Sequence, residues 1–471
     1  MASDSAGRAQ RDAPRTRPSG NSSPPGTQPA GLRLVAPCAA TSSRCDLANG
    51  RDPSTMLARP SRRLRCPLEG GSVSRKKSAQ PVLMTTADQV AELADHVRQH
   101  RQFAFDTEFV MEDVAAAEVC LIQVATEERV FLVDALTGVD VSPIWELVVD
   151  PQIETIVHAG QEDLAICVQA VGKPPRNVFD VQIAAGLVSA EYPLSLAKLA
   201  QSLIHVRLHK TQTLTDWRRR PLSVEQLRYA EEDVSHLPRI RRLLGKRLDK
   251  HGRVEWANEE HRRFEDIRLY RQSDSQRLGR VKGVGSLNGK QLAVATELMI
   301  WREDMARRLN RPARTILKDH LLSEIARTGL SHPEQIGSLR GINLSRRHMV
   351  ELCEVLEQAA QIPPERWPEP KSGRLETPRE TVLTTLVTAV LRSEARRLNV
   401  AYGLAASKRH IQELVRACPA GDAKPNRPLA LLGGWRGEVF GELLLALLQG
   451  RSAIRVGDPA SDAILQVGDG R

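Results

Sequence analysis

From residue 102 onward, apolar residues recur in short β-branched blocks separated by polar punctuation: QFAFDTEFV at 102–110, VCLIQVA at 119–125, RVFLVDA at 129–135 and ETIVHA at 154–159. Each block has the length and composition of a strand. Between and after them, QEDLAICVQAVG at 161–172 and VQIAAGLVS at 181–189 space their apolar residues as helices do. Three strands in close succession, then strands alternating with helices, predict a mixed α/β sheet. Pro221 and Ser223 open a further helix, with Ser223 as N-cap and Gln226 completing an S-x-x-Q capping box. The pattern carries that helix through Tyr229 and Asp233 towards Lys250.

Beyond about 288 the spacing is helical throughout. QLAVATELMIWREDMARRLN begins a first set of helices, punctuated by Pro312 and Gly329. Pro363, Pro364, Pro368 and Pro370 mark a linker, and a second helical set of similar length and pattern runs from about 379 to 450. The chain therefore divides into a tail (1–83), an α/β domain (84–250), a linker (251–288), a helical domain (289–369), a linker (370–378), a second helical domain (379–455) and a frayed end (456–471).

Composition changes this picture mainly at the N-terminus. The 471 residues carry a net charge of +10, but residues 1–83 alone hold 14 Lys/Arg against 5 Asp/Glu. Rich in Ser, Pro, Arg and Gly and without apolar periodicity, this stretch buries too little surface to offset chain entropy and reads as disordered. A transit peptide and an over-extended start, with Met84 as the true first residue, are the other readings. Within the rest, residues 84–200 carry 19 acids and 6 bases, whereas 201–320 carry 27 bases and 16 acids. An acidic half followed by a basic half suits metal-binding carboxylates beside a phosphate-binding surface, and it also suits solvated helix faces. The apolar runs are too short to span a bilayer. The seven cysteines are scattered with no CxxC pair, which points to a reduced, cytoplasmic setting rather than a disulfide scaffold.

The candidate chemistry begins in AFDTEFV. Asp106 and Glu108 lie two residues apart on a strand, so both carboxylates project from one face. Paired, partly buried carboxylates require a neutralising charge, and hard oxygen ligands favour Mg²⁺ or Mn²⁺ over zinc. Asp163, in HAGQEDL, follows an apolar strand in the first turn of a helix, where a carboxylate also favours the helix dipole. Tyr229 and Asp233 are spaced i, i+4 and share a helix face, as an ordinary amphipathic pair would. Taken together and in this order, four acids and a tyrosine have no comparably simple structural explanation.

These blocks resemble the DEDD exonuclease superfamily, in its tyrosine-containing subgroup, and closely resemble the ribonuclease D family. The resemblance covers DTEF (106–109), LIQVA (121–125), HAGQEDL (158–164), FDVQIAAGL (179–187), TDWRRRPL (215–222) and YAEEDV (229–234) across about 150 residues. It implies a ribonuclease H-like mixed-sheet exonuclease domain. In that domain Asp106, Glu108, Asp163 and Asp233 ligate two divalent cations, Mg²⁺ or Mn²⁺, and Tyr229 positions the attacking water. Two such ions, ~3.5–4 Å apart, stabilise both the attacking and the leaving oxygen of an in-line displacement. NVFD at 177–180 offers Asp180 as a rival third acid, although its block matches a different family segment. The chain departs from the family after DTEF, where it reads VMEDVAAAEVC, which puts the loop beside the substrate in doubt. The basic stretch of Lys210, Arg218, Arg219 and Arg220 is the candidate substrate-binding set, holding the nucleic-acid backbone. With aromatics at 4%, an extended base-stacking platform is not expected.

The helical half resembles HRDC domains, named for helicases and ribonuclease D. The likeness covers about 289–365 and includes Trp301, Arg302, Pro312 and Asp319, and residues 379–452 look like a second, diverged copy. The resemblance thus implies two small all-α HRDC-like bundles that widen a nucleic-acid footprint, unless they only stabilise the enzyme. KGVGSLNGK at 282–290 is no phosphate loop, because Val284 and Gln291 stand where glycine and Ser/Thr are required, so no nucleotide cofactor is expected. His205 and His209, four apart, have no third zinc ligand near them in the sequence, and Trp217 and Trp301 read as packing residues. The expected activity is 3′–5′ exoribonuclease action on tRNA precursors or other structured RNA ends. DNA exonuclease action and an inert nucleic-acid-binding protein remain the alternatives.

Overall fold

The computed structural model describes residues 83–110, 117–209, 215–271, 273–370, 376–418, 428–458, 460–462 and 464–469. The basic tail, apart from Leu83, and Lys210 lie outside the described residues. No helix among the described residues is long and apolar enough to cross a membrane.

The α/β domain is built from β1 (Leu83–Met84), α1 (Ala87–His100), β2 (Gln102–Val110), β3 (Glu118–Ala125), β4 (Val130–Asp134), α2 (Ser142–Val149), β5 (Glu154–Val157), α3 (Gln161–Val171), β6 (Val178–Asp180), α4 (Val181–Leu187), α5 (Leu196–Ile204), α6 (Val224–Ser235), α7 (Leu237–Lys250) and α8 (Val254–Arg262). The six strands pair in the order β1-β4-β3-β2-β5-β6. β2, β3 and β4 form an antiparallel meander, and β1, β5 and β6 join it in parallel. The mixed sheet expected from the strand spacing is therefore present.

Alternation along β2 divides the two faces of the sheet. Phe103 and Phe105 point into a core with Val90, Leu93 and Val97 of α1, Ile144 and Leu147 of α2, and Leu164 and Cys167 of α3. Ala104 points the other way, into a core with α4, α5 and α7. Asp106 and Glu108 continue the Ala104 face. The β2–β3 register shifts between Glu108 and Phe109, the kind of local irregularity that re-aims a side chain beside a site.

The capping box of Ser223 and Gln226 forms as expected at the start of α6. The helix does not run on to Lys250, however. It ends at His236, and α7 begins with Pro238 in its first turn. A proline there lacks the amide a continuous helix would need and crowds the carbonyl four residues back.

The stretch 251–288, expected as a linker, is folded. Ala257, Glu260 and His261 of α8 are buried, as is Phe264, and residues from Leu278 to Leu287 join the core of the helical domain that follows. Periodicity missed α8 because two of its three buried residues are a glutamate and a histidine. Helices Gly289–Leu309, Asp319–Thr328 and Arg346–Ala360 enclose their own core, which contains Trp301 and lies against the buried Arg302–Asp319 ion pair at 2.8 Å. Trp217, likewise buried, packs beside α6.

The second helical set, led by Pro378–Arg397 and closed by Glu442–Leu448, shares one core with α4, α5, α7 and α8. Arg253 donates to the carbonyls of Leu187 and Leu398, and the Ala401 amide donates to Gly186 O at 2.8 Å. Trp435 stacks on Trp256 with ring centroids 4.9 Å apart. Glu260, almost wholly buried, accepts from the Trp435 indole and pairs with Arg436. The expected frayed end instead forms a hairpin of β7 (Ser452–Val456) and β8 (Leu465–Asp469), with Ile454, Leu465 and Val467 packed on this core.

Glu260→Gln removes the counter-ion of a buried guanidinium. It should destabilise the protein by roughly 3–5 kcal/mol, as breaking buried pairs does. Urea unfolding checks this, and a loss below about 1 kcal/mol would mean that Arg436 is not held in place by this pair.

Candidate active site

Three elements deliver the acids. β2 places Asp106 and Glu108 on one face, α6 brings Tyr229 and Asp233 over that face, and the first turn of α3 supplies Asp163. Carboxylate oxygens of Asp106, Glu108 and Asp233 all lie within 4.8 Å of one another. Asp163 enters from the side: its Oδ1 accepts from the Thr107 amide at 3.0 Å and from Thr107 Oγ1 at 2.5 Å. Thr107 thus ties the third acid to the strand between the first two, a role that the sequence carried only as the middle letter of D-T-E.

The turn before α3 is equally constrained. Ala159 adopts a left-handed φ of 56°, and a β-carbon on Gly160 would lie 2.5 Å from that of Val157, so HAG tolerates no larger residue at its third position. Asp180 holds this turn, accepting from the Ala159 amide at 3.1 Å while capping α4 through the Gln182 amide at 2.8 Å. The rival third acid is therefore engaged as a cap, and Asp163 is the one linked to the cluster.

Burial and mutual repulsion dominate the electrostatics. Asp106 is pushed well above the usual carboxylate range by burial and by the charges of Asp163, Asp233 and Glu108. Burial raises Glu108 to about 8, with Asp233 and Asp163 adding to the shift. Asp233 rises to about 7 through burial, partly opposed by its hydrogen bond from Tyr229. Asp163 is raised by burial against the opposing bonds from Thr107. The Tyr229 hydroxyl is pushed up by burial and by the Asp233 and Glu108 charges, so it stays protonated at neutral pH. Its ring lies 6.1 Å from that of Trp217.

Oxygen donors alone, held close and short of positive charge, suit a hard divalent cation far better than zinc. Asp106, Glu108 and Asp233 are the residues that could hold one directly, with Asp163 adjoining.

The expected basic set does not act as a unit. Arg220 is taken up by the fold: Nε and one NH₂ group grip the buried Asp134 at 2.6 Å each, and the remaining hydrogens go to the carbonyls of Cys120, Trp217 and Arg219. All five guanidinium donors are used, so none remains for a substrate phosphate. Arg220 thereby pins the WRRRP segment to β3 and β4 just ahead of α6. Arg218 bonds Asp216, and Arg219 projects outward with its side chain 84% exposed. Lys210 lies outside the described residues.

Comparison with known proteins gives the family. A 3′–5′ exonuclease family matches residues 81–249, and the HRDC domain matches 291–355. Ribonuclease D of Gluconacetobacter diazotrophicus is 32% identical over 381 residues, covering 80% of this chain and 95% of that protein. Ribonuclease D of Pseudomonas paraeruginosa is 32% identical over 368 residues, covering 76% and 96%. The crystal structure of Escherichia coli RNase D, described as an exoribonuclease involved in structured RNA processing, superposes with a TM-score of 0.67 at 28% identity, covering 79% of this chain and 99% of that one. The chain belongs to the ribonuclease D family and is a 3′–5′ exoribonuclease with an RNase H-like catalytic fold.

Proposed function

We propose that this exoribonuclease is dependent on divalent metal ions, Mg²⁺ or Mn²⁺, and trims tRNA precursors and similar structured transcripts by releasing nucleoside 5′-monophosphates from their 3′ ends. The observation that carries the reading is the convergence of four acids, Asp163 buried and the other three half-buried, whose charged neighbours include one another. Such a cluster is stable in its charged form only with a cation in it. The bound ions supply charge stabilisation to the oxygens that enter and leave phosphorus. Asp106, Glu108 and Asp233 hold them, and Asp163, oriented by Thr107, completes the set. The Tyr229 hydroxyl, kept protonated by its acidic surroundings, orients the attacking water by a hydrogen bond and is not its base. Residues 289–369 widen the RNA contact as an HRDC module. The substrate class rests on the likeness to the E. coli enzyme of structured RNA processing. Matched 3′-labelled precursor tRNA and DNA, incubated with Mg²⁺, Mn²⁺ or EDTA, test the whole reading: strong degradation in EDTA, or equal degradation of DNA, would overturn it.

Asp106→Asn and Asp233→Asn should abolish most activity while leaving the metal-free melting temperature equal or higher, because each removes one like charge from a buried cluster. A fall in melting temperature comparable to that of a core mutation would argue that these acids are structural.

Tyr229→Phe keeps the ring against Trp217 and removes only the oxygen. It should lower kcat on the order of 10²-fold, the low end of what positioned proton-sharing groups supply, with little change in KM. Near-normal kcat in single-turnover assays would reduce Tyr229 to a packing residue.

The raised acids also set a pH signature. Between the ordinary carboxylate range and about 7 to 8, the folded metal-free protein keeps protons on Asp233 and Glu108 that the unfolded chain has lost. Folding stability should therefore fall as pH rises through that window. Thermal melts in EDTA from pH 5 to 9 should show this slope, and saturating Mg²⁺ should flatten it.

A further inference from the structure

A second group of ligand-type side chains lies elsewhere on the molecule, and the acid cluster plays no part in it. His96 and His100 sit one turn apart near the end of α1, whose other face packs Val90, Leu93 and Val97 into the sheet. The turn joining β3 to β4 brings Glu128 beside them. One nitrogen from each ring and one Glu128 oxygen lie within 4.8 Å of one another. The sequence presents the histidine pair at i, i+4, but only the packing of α1 against this turn supplies the carboxylate.

The hydrogen bonds preset both rings. His100 Nδ1 is 2.8 Å from the His96 carbonyl, so that nitrogen carries a proton, and Nε2 faces Glu128 Oε2 at 3.4 Å; the carbonyl bond and Glu128 raise the ring's proton affinity, and the lone pair of the neutral ring lies on Nε2. His96 Nε2 is 2.9 Å from Thr126 Oγ1. That hydroxyl already accepts from the amides of Glu128 and Arg129, at 3.3 and 3.2 Å, and so has only its proton to offer. The Nε2 lone pair of His96 therefore accepts from the Thr126 hydroxyl, at the edge of the cluster, in a bond that a metal ion would have to displace. The rings lie 4.1 Å apart, tilted by 36°. Burial, His100 and Arg129 lower the proton affinity of His96, which keeps its ring neutral. The Arg129 guanidinium itself is engaged, paired with Glu92 at 2.9 Å and stacked over Phe131.

We infer that His96, His100 and Glu128 form a metal site for a borderline divalent ion of the zinc class, clipping the end of α1 to the β3–β4 turn. Two imidazoles and one carboxylate are the donor set such ions prefer, and two histidines at i, i+4 on a helix are a familiar half of it. His100 donates its remote N–H to a carbonyl, the orienting bond that metal-bound histidines commonly make. Zinc–ligand bonds of about 2.0–2.2 Å require ligand atoms within roughly 4 Å of one another. Rotation of Glu128, whose side chain is 68% exposed, closes the remaining gap. Binding replaces one hydrogen bond from Thr126, and solvent fills the open position. The site differs in kind from the oxygen-only acid cluster, so the two should select different metals.

The test uses the full chain, stripped with a chelator and then saturated with Mg²⁺ to fill the acid cluster. Zinc is titrated calorimetrically, and Co²⁺ is titrated with its visible d–d absorption as the readout of a low-coordinate nitrogen–oxygen environment. Wild type and Asp233→Asn should both show one such site. In His100→Gln and Glu128→Gln, both surface-accessible changes, zinc affinity should fall at least ~100-fold, beyond the 10–100-fold loss typical when only an orienting partner is removed. Mg²⁺-dependent exonuclease activity of these two variants should match wild type. Zinc and cobalt binding that is unchanged in both variants, or that disappears in Asp233→Asn instead, would overturn the assignment. So would a wild-type protein that takes up no zinc.

Discussion

The withdrawal of Asp106, Glu108, Asp163 and Asp233 from solvent, close to one another, is the constraint around which the exonuclease domain is organised. Loss of solvent first, and the neighbouring carboxylates after it, disfavour the ionised cluster and raise the proton affinities of Glu108 and Asp233. The surrounding structure must therefore be stable for other reasons. Phe103 and Phe105, alternating with the acids along β2, anchor the strand in an apolar core on its opposite face. Thr107 fixes Asp163, Asp180 fixes the turn before it, and the five donors of Arg220 fix the segment leading into α6. Each acid is thus held by a neighbour that is not itself part of the charge cluster.

The same logic separates two kinds of arginine. Arg220, Arg253 and Arg436 are surrounded by carbonyls and buried carboxylates, and each joins segments far apart in the chain. Arg219 reaches solvent, with an exposed ion pair to Asp216 at 3.6 Å. Counting basic residues along the sequence treats these groups alike, although the first three act on the fold and the last lies on the surface.

The two helical regions also divide their work. Residues 289–360 enclose a core of their own, centred on Trp301 and the Arg302–Asp319 pair, as an attached binding module does. Residues 378–448 share a core with α4, α5, α7 and α8, with Trp435 and Arg436 docked on α8. Similar lengths and apolar patterns therefore conceal different roles, because periodicity records that a helix has a buried face and not what covers it.

Much of the candidate site is legible in the sequence. Strand alternation puts Asp106 and Glu108 on one face, helical spacing puts Tyr229 and Asp233 on another, and both are local geometry that any chain of this pattern obeys. The helix start at Ser223 is readable for the same reason. The tertiary structure decided the rest. It brought α6 over β2, engaged Asp180 and Arg220 as supports, folded 251–288 into the body, and set Glu128 beside two histidines. These outcomes depend on partners dozens to hundreds of residues away, and a polar side chain buried against such a partner leaves no periodic trace along the chain.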